Sequence, residues 1–165
     1  MPTSNDSERY RRSPRLRGYD YTLAGAYFVT ICTQGRLPCF GQVADALMQL
    51  SPAGQMVQEV WAALPAHYPG IDLDAFMIMP DHIHGILVLL GLPKQLALPD
   101  AVQRFKSLTT ARYRHGLAGN GWAPFPGQLW QRSYYDHVIQ NEADLERIRS
   151  YIIENPVRYW QKKSA

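Results

Sequence analysis

The chain has 165 residues, 46% of them apolar, and a formal net charge of +3. That length suits one domain around a single core, and the apolar share excludes a disordered chain. No apolar run approaches the roughly 20 residues a bilayer demands, and the opening MPTSNDSERYRRSPR lacks the apolar stretch of a signal peptide.

Residues 1 to about 20 are polar, basic and interrupted by Pro14 and Gly18. They read as a flexible N-terminal arm ahead of one domain over residues 21–165. Tyr27 to Thr33 is rich in β-branched and aromatic residues and predicts a strand. Ser51 and Pro52 suit the N-cap and first position of a helix. Ala53, Met56, Val57, Val60, Trp61 and Leu64 then recur at helical spacing, and Pro65 to Gly70 is expected to end that helix.

Leu73 to Met79 predicts a second strand and His84 to Leu90 a third. Pro80-Asp81 forms a tight turn between them. Pro99-Asp100 starts a second helix with Val102, Phe105, Thr109 and Tyr113 toward the core, and Gly116 to Gly127 reads as a loop. Leu129 to Ile139 looks extended. Asn141 is placed to cap a last helix that stops before Pro156. The order β-α-β-β-α-β plus one helix predicts an α+β, ferredoxin-like (split βαβ) fold. An antiparallel sheet carries helices on one face, followed by a C-terminal helix bearing Tyr151, and the other face is left for ligands.

Cys32 and Cys39 are too few for a disulfide framework, and no CxxC is present. A reducing cytoplasm is the expected setting, with Cys32 a buried free thiol. The charge is unevenly spread. Arg9, Arg11, Arg12, Arg15 and Arg17 crowd the arm, Arg104, Lys106, Arg112 and Arg114 form a second cluster, and Arg158, Lys162 and Lys163 a third. Basic clusters interleaved with Tyr10, Tyr113 and Tyr159 are the pattern of a surface that meets phosphates and stacks on unpaired bases. A solvated basic surface is the plainer alternative.

His82 and His84 flank Ile83 at the start of the third strand. Strand alternation therefore points both imidazoles to one side, where they can share a cation. Two polar residues on a wet strand would look the same. Two histidines leave positions open for a side-chain oxygen, water and phosphate, which suits catalysis better than structure. His67, His115 and His137 are scattered and read as surface or hydrogen-bonded residues, with His137 nearest the last helix. Tyr151 and Asn155 are four apart at the end of that helix, a spacing that shares one face. A phenol beside a metal can attack a phosphodiester. Chain order alone does not choose among Tyr134, Tyr135, Tyr151 and Tyr159, and a core role for Tyr151 beside Ile148 and Ile152 is equally compatible.

Several segments carry a resemblance. They are Arg12-Ser13-Pro14-Arg15-Leu16 with GYDYTLAGAYFVTICTQGR, LDAFMIMPDHIHGILVL, the FKS of residues 105–107, and LWQRSYYDHVIQNEADLERIRSYIIENPVRYW. Together they resemble the REP-associated tyrosine transposases, relatives of the IS200-like single-strand transposases among the HUH endonucleases, from about Arg11 to Trp160. The resemblance implies a metal-dependent single-stranded DNA endonuclease and strand transferase acting at hairpins of REP-type palindromes through a 5′-phosphotyrosine. It implies His82, His84 and Asn155 as metal ligands, Tyr151 as nucleophile, and Mg²⁺ or Mn²⁺ as the ion. Arg11, Arg12, Arg15, Arg17 and Lys106 fall in its DNA-binding parts.

The pattern departs from its relatives in places. Related insertion-sequence transposases carry Gln where Asn155 stands, and many relatives carry Asn where Asp81 stands. The segment between the third strand and second helix is short. Either a monomer or a homodimer is compatible, in the bacterial cytoplasm at the nucleoid and with no membrane partner. A domesticated hairpin-binding module with little catalysis is the alternative, and a metal-dependent hydrolase that uses water is a third reading.

Overall fold

The computed structural model describes residues 24–164. The basic arm, with Arg11, Arg12, Arg15 and Arg17, lies outside the described residues. The central sheet has the order β4-β5-β1-β6, and every neighbouring pair is antiparallel. Its strands are β1 (Gly25–Cys32), β4 (Ile71–Met79), β5 (His82–Leu89) and β6 (Tyr135–Val138). A two-stranded ribbon, β2 (Gly41–Ala44) with β3 (Leu47–Leu50), follows β1. The helices are α1 (Pro52–His67), α2 (Leu98–Gly119), α3 (Glu142–Ile153) and α4 (Asn155–Ser164). This is the split βαβ arrangement that the element order predicts.

α1 begins as its sequence dictates. Ser51 Oγ accepts from the Gly54 N–H at 3.1 Å, and Pro52 sits where a missing N–H costs nothing. The six apolar residues expected on its inner face are all buried. The helix continues through Pro65 to His67 rather than ending at the proline. Only the last turn follows Pro65, so a single backbone hydrogen bond is lost there.

Alternation divides the sheet into two faces. Tyr27, Val29, Ile31, Ile83, Leu87 and Leu89 pack with α1 and α2 in the main core. Trp61 stacks on Phe76 with ring centroids 4.6 Å apart and 8° between planes. A Cβ at Gly85 would lie 2.4 Å from Trp61 Cζ2, so only glycine lets the indole lie on β5.

The opposite face is not left bare. α3 lies on it, burying Ile148 and Ile152 against Phe28 and Ile86. Asn141 caps α3, its Oδ1 accepting from the Asp144 N–H at 2.8 Å.

Three further differences from the sequence reading are local. The ribbon β2–β3 turns through Asp45 and Ala46, both left-handed at φ 51° and 61°. That is hairpin-turn geometry without the Asn-Gly or Asp-Gly pair that advertises it. α2 runs on to Gly119, because Tyr113 and Gly116 still pack inward. The last stretch of chain forms a helix of its own, α4, which the break at Glu154 and Pro156 sets apart from α3. Among the described residues no helix is long and apolar enough to cross a membrane.

Candidate metal and tyrosine site

The two-residue turn Pro80-Asp81 is pinned from outside the hairpin. Thr33 donates to the Asp81 carbonyl through its N–H at 2.9 Å and its hydroxyl at 3.0 Å, and the Phe40 N–H donates to the Pro80 carbonyl at 3.1 Å. His82 and His84 leave this anchored turn on the α3 face, while Ile83 enters the main core. Their Nε2 atoms stand 3.1 Å apart.

Each imidazole is oriented through its other nitrogen. Asp81 Oδ1 accepts from His82 Nδ1 at 2.6 Å. Thr30, directly opposite His84 in the β1–β5 register, meets His84 Nδ1 with its hydroxyl at 2.7 Å. The carboxylate can only accept, so it holds the His82 proton on Nδ1 and leaves Nε2 a lone pair. With Thr30 accepting likewise, two lone pairs face each other at 3.1 Å, an arrangement that a shared cation relieves. Burial pushes the His84 imidazole well below its usual pKa, reinforced by His82 and Arg36. Burial also lowers His82, against the pull of Asp81. Both rings are therefore held neutral, the form that binds metal.

The donor set fits a divalent ion. Two neutral imidazole nitrogens 3.1 Å apart could hold one divalent ion between them. Among the described residues no third His, Cys, Asp or Glu completes the group. Further positions thus fall to an amide, a phosphate oxygen or water.

Tyr151 lies in the last turn of α3, with its ring centroid 5.3 Å from that of His84. Phe28 meets the same ring edge-on at 6.1 Å and Arg158 lies over it at 5.4 Å. Tyr134 is buried in the main core, Tyr135 starts β6, and Tyr159 lies on α4 under Lys163. Of the four candidate tyrosines, Tyr151 alone has a ring contact with a histidine of the pair. Asn155 opens α4 beyond the helix break, so the spacing of four does not by itself align it with Tyr151. Its side chain makes no hydrogen bond to another described residue.

Two polar contacts dock α3 on the sheet. β4 carries a bulge between Leu73 and Phe76, and Asp74 at that bulge takes both Arg149 Nε at 2.8 Å and Nη2 at 2.6 Å. Asp144, buried at the start of α3, accepts from His137 Nε2 at 2.8 Å, from the Gln140 N–H and from Arg147. His137 is thereby engaged in holding the helix.

Sequence reasoning missed Thr30, Arg36, Asp74 and Arg149, and had Arg158 only as part of a basic cluster. Arg36 has a left-handed backbone at φ 55°. It donates to Asp81 Oδ2 at 3.1 Å and to the buried Cys32 sulfur, and its Nη2 lies 3.5 Å from His82 Nδ1. Burial works to raise the Asp81 carboxyl, yet His82 and Arg36 together hold it below its ordinary value. Arg36 stands in the quoted TQGR segment, but no periodicity brings it to His82. Lys106, expected on the DNA surface, turns its ammonium to the carbonyls of Gln131 and Arg132 at 2.8 and 3.0 Å and to the Tyr134 ring at 5.6 Å.

Comparison with known proteins follows the same lines. The family model for "Transposase IS200 like" matches residues 52–155. A Haemophilus influenzae protein described as uncharacterized is 34% identical, with 95% of this chain and 94% of that one aligned. A second H. influenzae protein, named as a candidate REP-associated tyrosine transposase, is 27% identical over 85% of this chain and 74% of its own. Among solved structures, a REP-associated tyrosine transposase bound to a REP hairpin matches with a TM-score of 0.62 at 21% identity, covering 90% of this chain and 74% of that one. A candidate transposase from Deinococcus radiodurans matches with a TM-score of 0.51 at 23% identity, covering 86% and 96%. At those identities the structural likeness speaks for the fold.

Proposed function

The chain belongs to the IS200-like transposase family, and we propose that it cleaves and rejoins single-stranded DNA beside REP-type hairpins with Tyr151 as nucleophile. The observation that carries this is the Tyr151 ring 5.3 Å from the ring of His84 in the same chain. Tyr151 Oη forms a bond to phosphorus and the bond from phosphorus to O3′ breaks. The phenolic proton passes to solvent and O3′ takes up a proton as it leaves, so the 5′-phosphate stays on the tyrosine. Attack by a free 3′-OH on that phosphotyrosine reverses the exchange and joins strands.

In this reading His82 and His84, with Asn155 as third ligand, hold Mg²⁺ or Mn²⁺. When bound, the ion neutralises charge on a phosphate oxygen and lowers the demand on a phenol whose free pKa is about 10. Asp81 and Thr30 keep both Nε2 atoms facing the same point, and Phe28 and α3 hold the ring beside them. Histidines and tyrosine meet within one chain, which supports the tyrosine working in cis. Phosphate contacts are assigned to the basic arm, and Lys106 serves there by tying the Gln131–Arg132 backbone to α2. Such a substrate places the protein in the bacterial cytoplasm at the nucleoid.

The test is a labelled single-stranded hairpin incubated with the parent protein or Tyr151→Phe, in Mn²⁺ or EDTA, and resolved on a denaturing gel. A metal-dependent covalent adduct with the parent alone is expected. Binding without adduct would make the chain a hairpin-binding module, and cleavage by the Phe variant would transfer the attack to water.

A further inference from the structure

Of the groups around the Tyr151 ring, the reading above uses the two from the sheet, Phe28 and His84. The third comes from beyond the helix break. α4 starts at Asn155, and its first turn brings the Arg158 guanidinium over the ring, with Cζ 5.4 Å from the centroid. Glu154 orients it from the break itself, its Oε2 accepting from Arg158 Nη2 at 3.0 Å. The Arg158 side chain is 34% exposed, so part of the fork still faces outward.

An i,i+4 pair of Glu and Arg on a helix surface is usually of little consequence. This one differs in where the arginine lies. Among the described residues two other cations sit over tyrosine rings, Lys106 on Tyr134 and Lys163 on Tyr159. The Lys106 ammonium is engaged by two carbonyls. Neither Tyr134 nor Tyr159 is the tyrosine with a ring contact to the histidines. Arginine is also the side chain suited to the task, since its planar fork stacks on an aromatic face and still offers N–H groups to phosphate oxygens.

We propose that Arg158, placed over the Tyr151 ring, supplies positive charge to the scissile phosphate during the attack. The inference rests on the reading that Tyr151 attacks DNA. Arg158 stays charged throughout and exchanges no proton. It counters the negative charge on the non-bridging oxygens as Oη approaches and O3′ departs. The charge comes from α4, so the helix break at Glu154 is part of the site rather than the end of it.

The experiment compares the full-length parent, Arg158→Met and Arg158→Lys in Mn²⁺. Each is given two hairpin substrates, one with an ordinary scissile phosphate and one with an uncharged methylphosphonate at that linkage. Single-turnover adduct formation at saturating DNA, hairpin affinity and thermal melting are read separately. On the ordinary phosphate, Arg158→Met is expected to slow adduct formation about 100- to 1,000-fold, the loss typical of one aimed charge or donor. Affinity and melting stay near the parent's, and Arg158→Lys recovers part of the rate. On the methylphosphonate the parent and Arg158→Met rates converge. Equal slowing on both substrates, or none on either, overturns the proposal while leaving Tyr151 in place. An adduct that survives Tyr151→Phe sinks both readings.

Discussion

One face of the sheet buries Trp61, Phe105 and Trp130 beneath two long helices. Among the described residues the other face holds a smaller apolar cluster, Phe28, Ile86, Ile148 and Ile152, with His82, His84, Thr30 and Tyr151 alongside. The first face carries the larger apolar core, whose removal from water favours the fold. The second is held largely by oriented polar contacts, the Asp74–Arg149 fork and the Asp144 cluster, which set α3 at a fixed position over the histidines. Substitutions on the two faces should therefore separate, stability moving with the first and chemistry with the second.

The largest effect is expected on the core face. Trp61→Ala removes a ring that is 2% exposed and should destabilise by about 3–5 kcal/mol, read from urea unfolding. Adduct yield per folded molecule should match the parent's. A selective loss of chemistry at full folding would break the division between the faces.

Asp81→Asn probes the other face. It replaces the charged acceptor of His82 with a neutral one, and Mn²⁺ affinity should fall about tenfold, the lower end for partners of metal-ligating histidines. Folding stability should barely change. Mn²⁺ titration of adduct formation checks this, and an unchanged midpoint would show that Asp81 does not tune the pair.

Asp74→Asn weakens the fork that docks α3. Faster amide exchange in α3 and a severalfold slower adduct rate are expected, with α1 and α2 exchanging as before. If α3 protection is unchanged, the small apolar cluster alone holds the helix.

The smallest effect concerns acid. Burial would raise the Asp144 carboxyl, but the donors His137, Gln140 N–H and Arg147 hold it below its ordinary value. Its folded pKa is thus the lower one. Its contribution is complete above the unfolded value of about 3.9 and is lost as pH falls through the folded value. Asp144→Asn should flatten the acid limb of the melting curve in that window and leave it unchanged near neutrality. A limb as steep as the parent's would assign acid lability to other carboxylates.

Local rules account for what the sequence determined by itself. Strand alternation puts His82 and His84 on one side and Ile83 on the other because successive side chains oppose. Ser51 and Asn141 cap their helices because an oxygen at that position meets an unpaired N–H two or three residues on. The element order then leads to the four-stranded antiparallel sheet. Thr30 beside His84, Arg36 beside Asp81, Asp74 beside Arg149 and Arg158 over Tyr151 were decided only by the tertiary structure. Strand register, a β-bulge and a helix break create those meetings. The placement of Tyr151 beside His84 belongs with them. Tyr151 reaches His84 because Ile148 and Ile152 dock on Phe28 and Ile86, a packing between distant parts of the chain that no local period encodes.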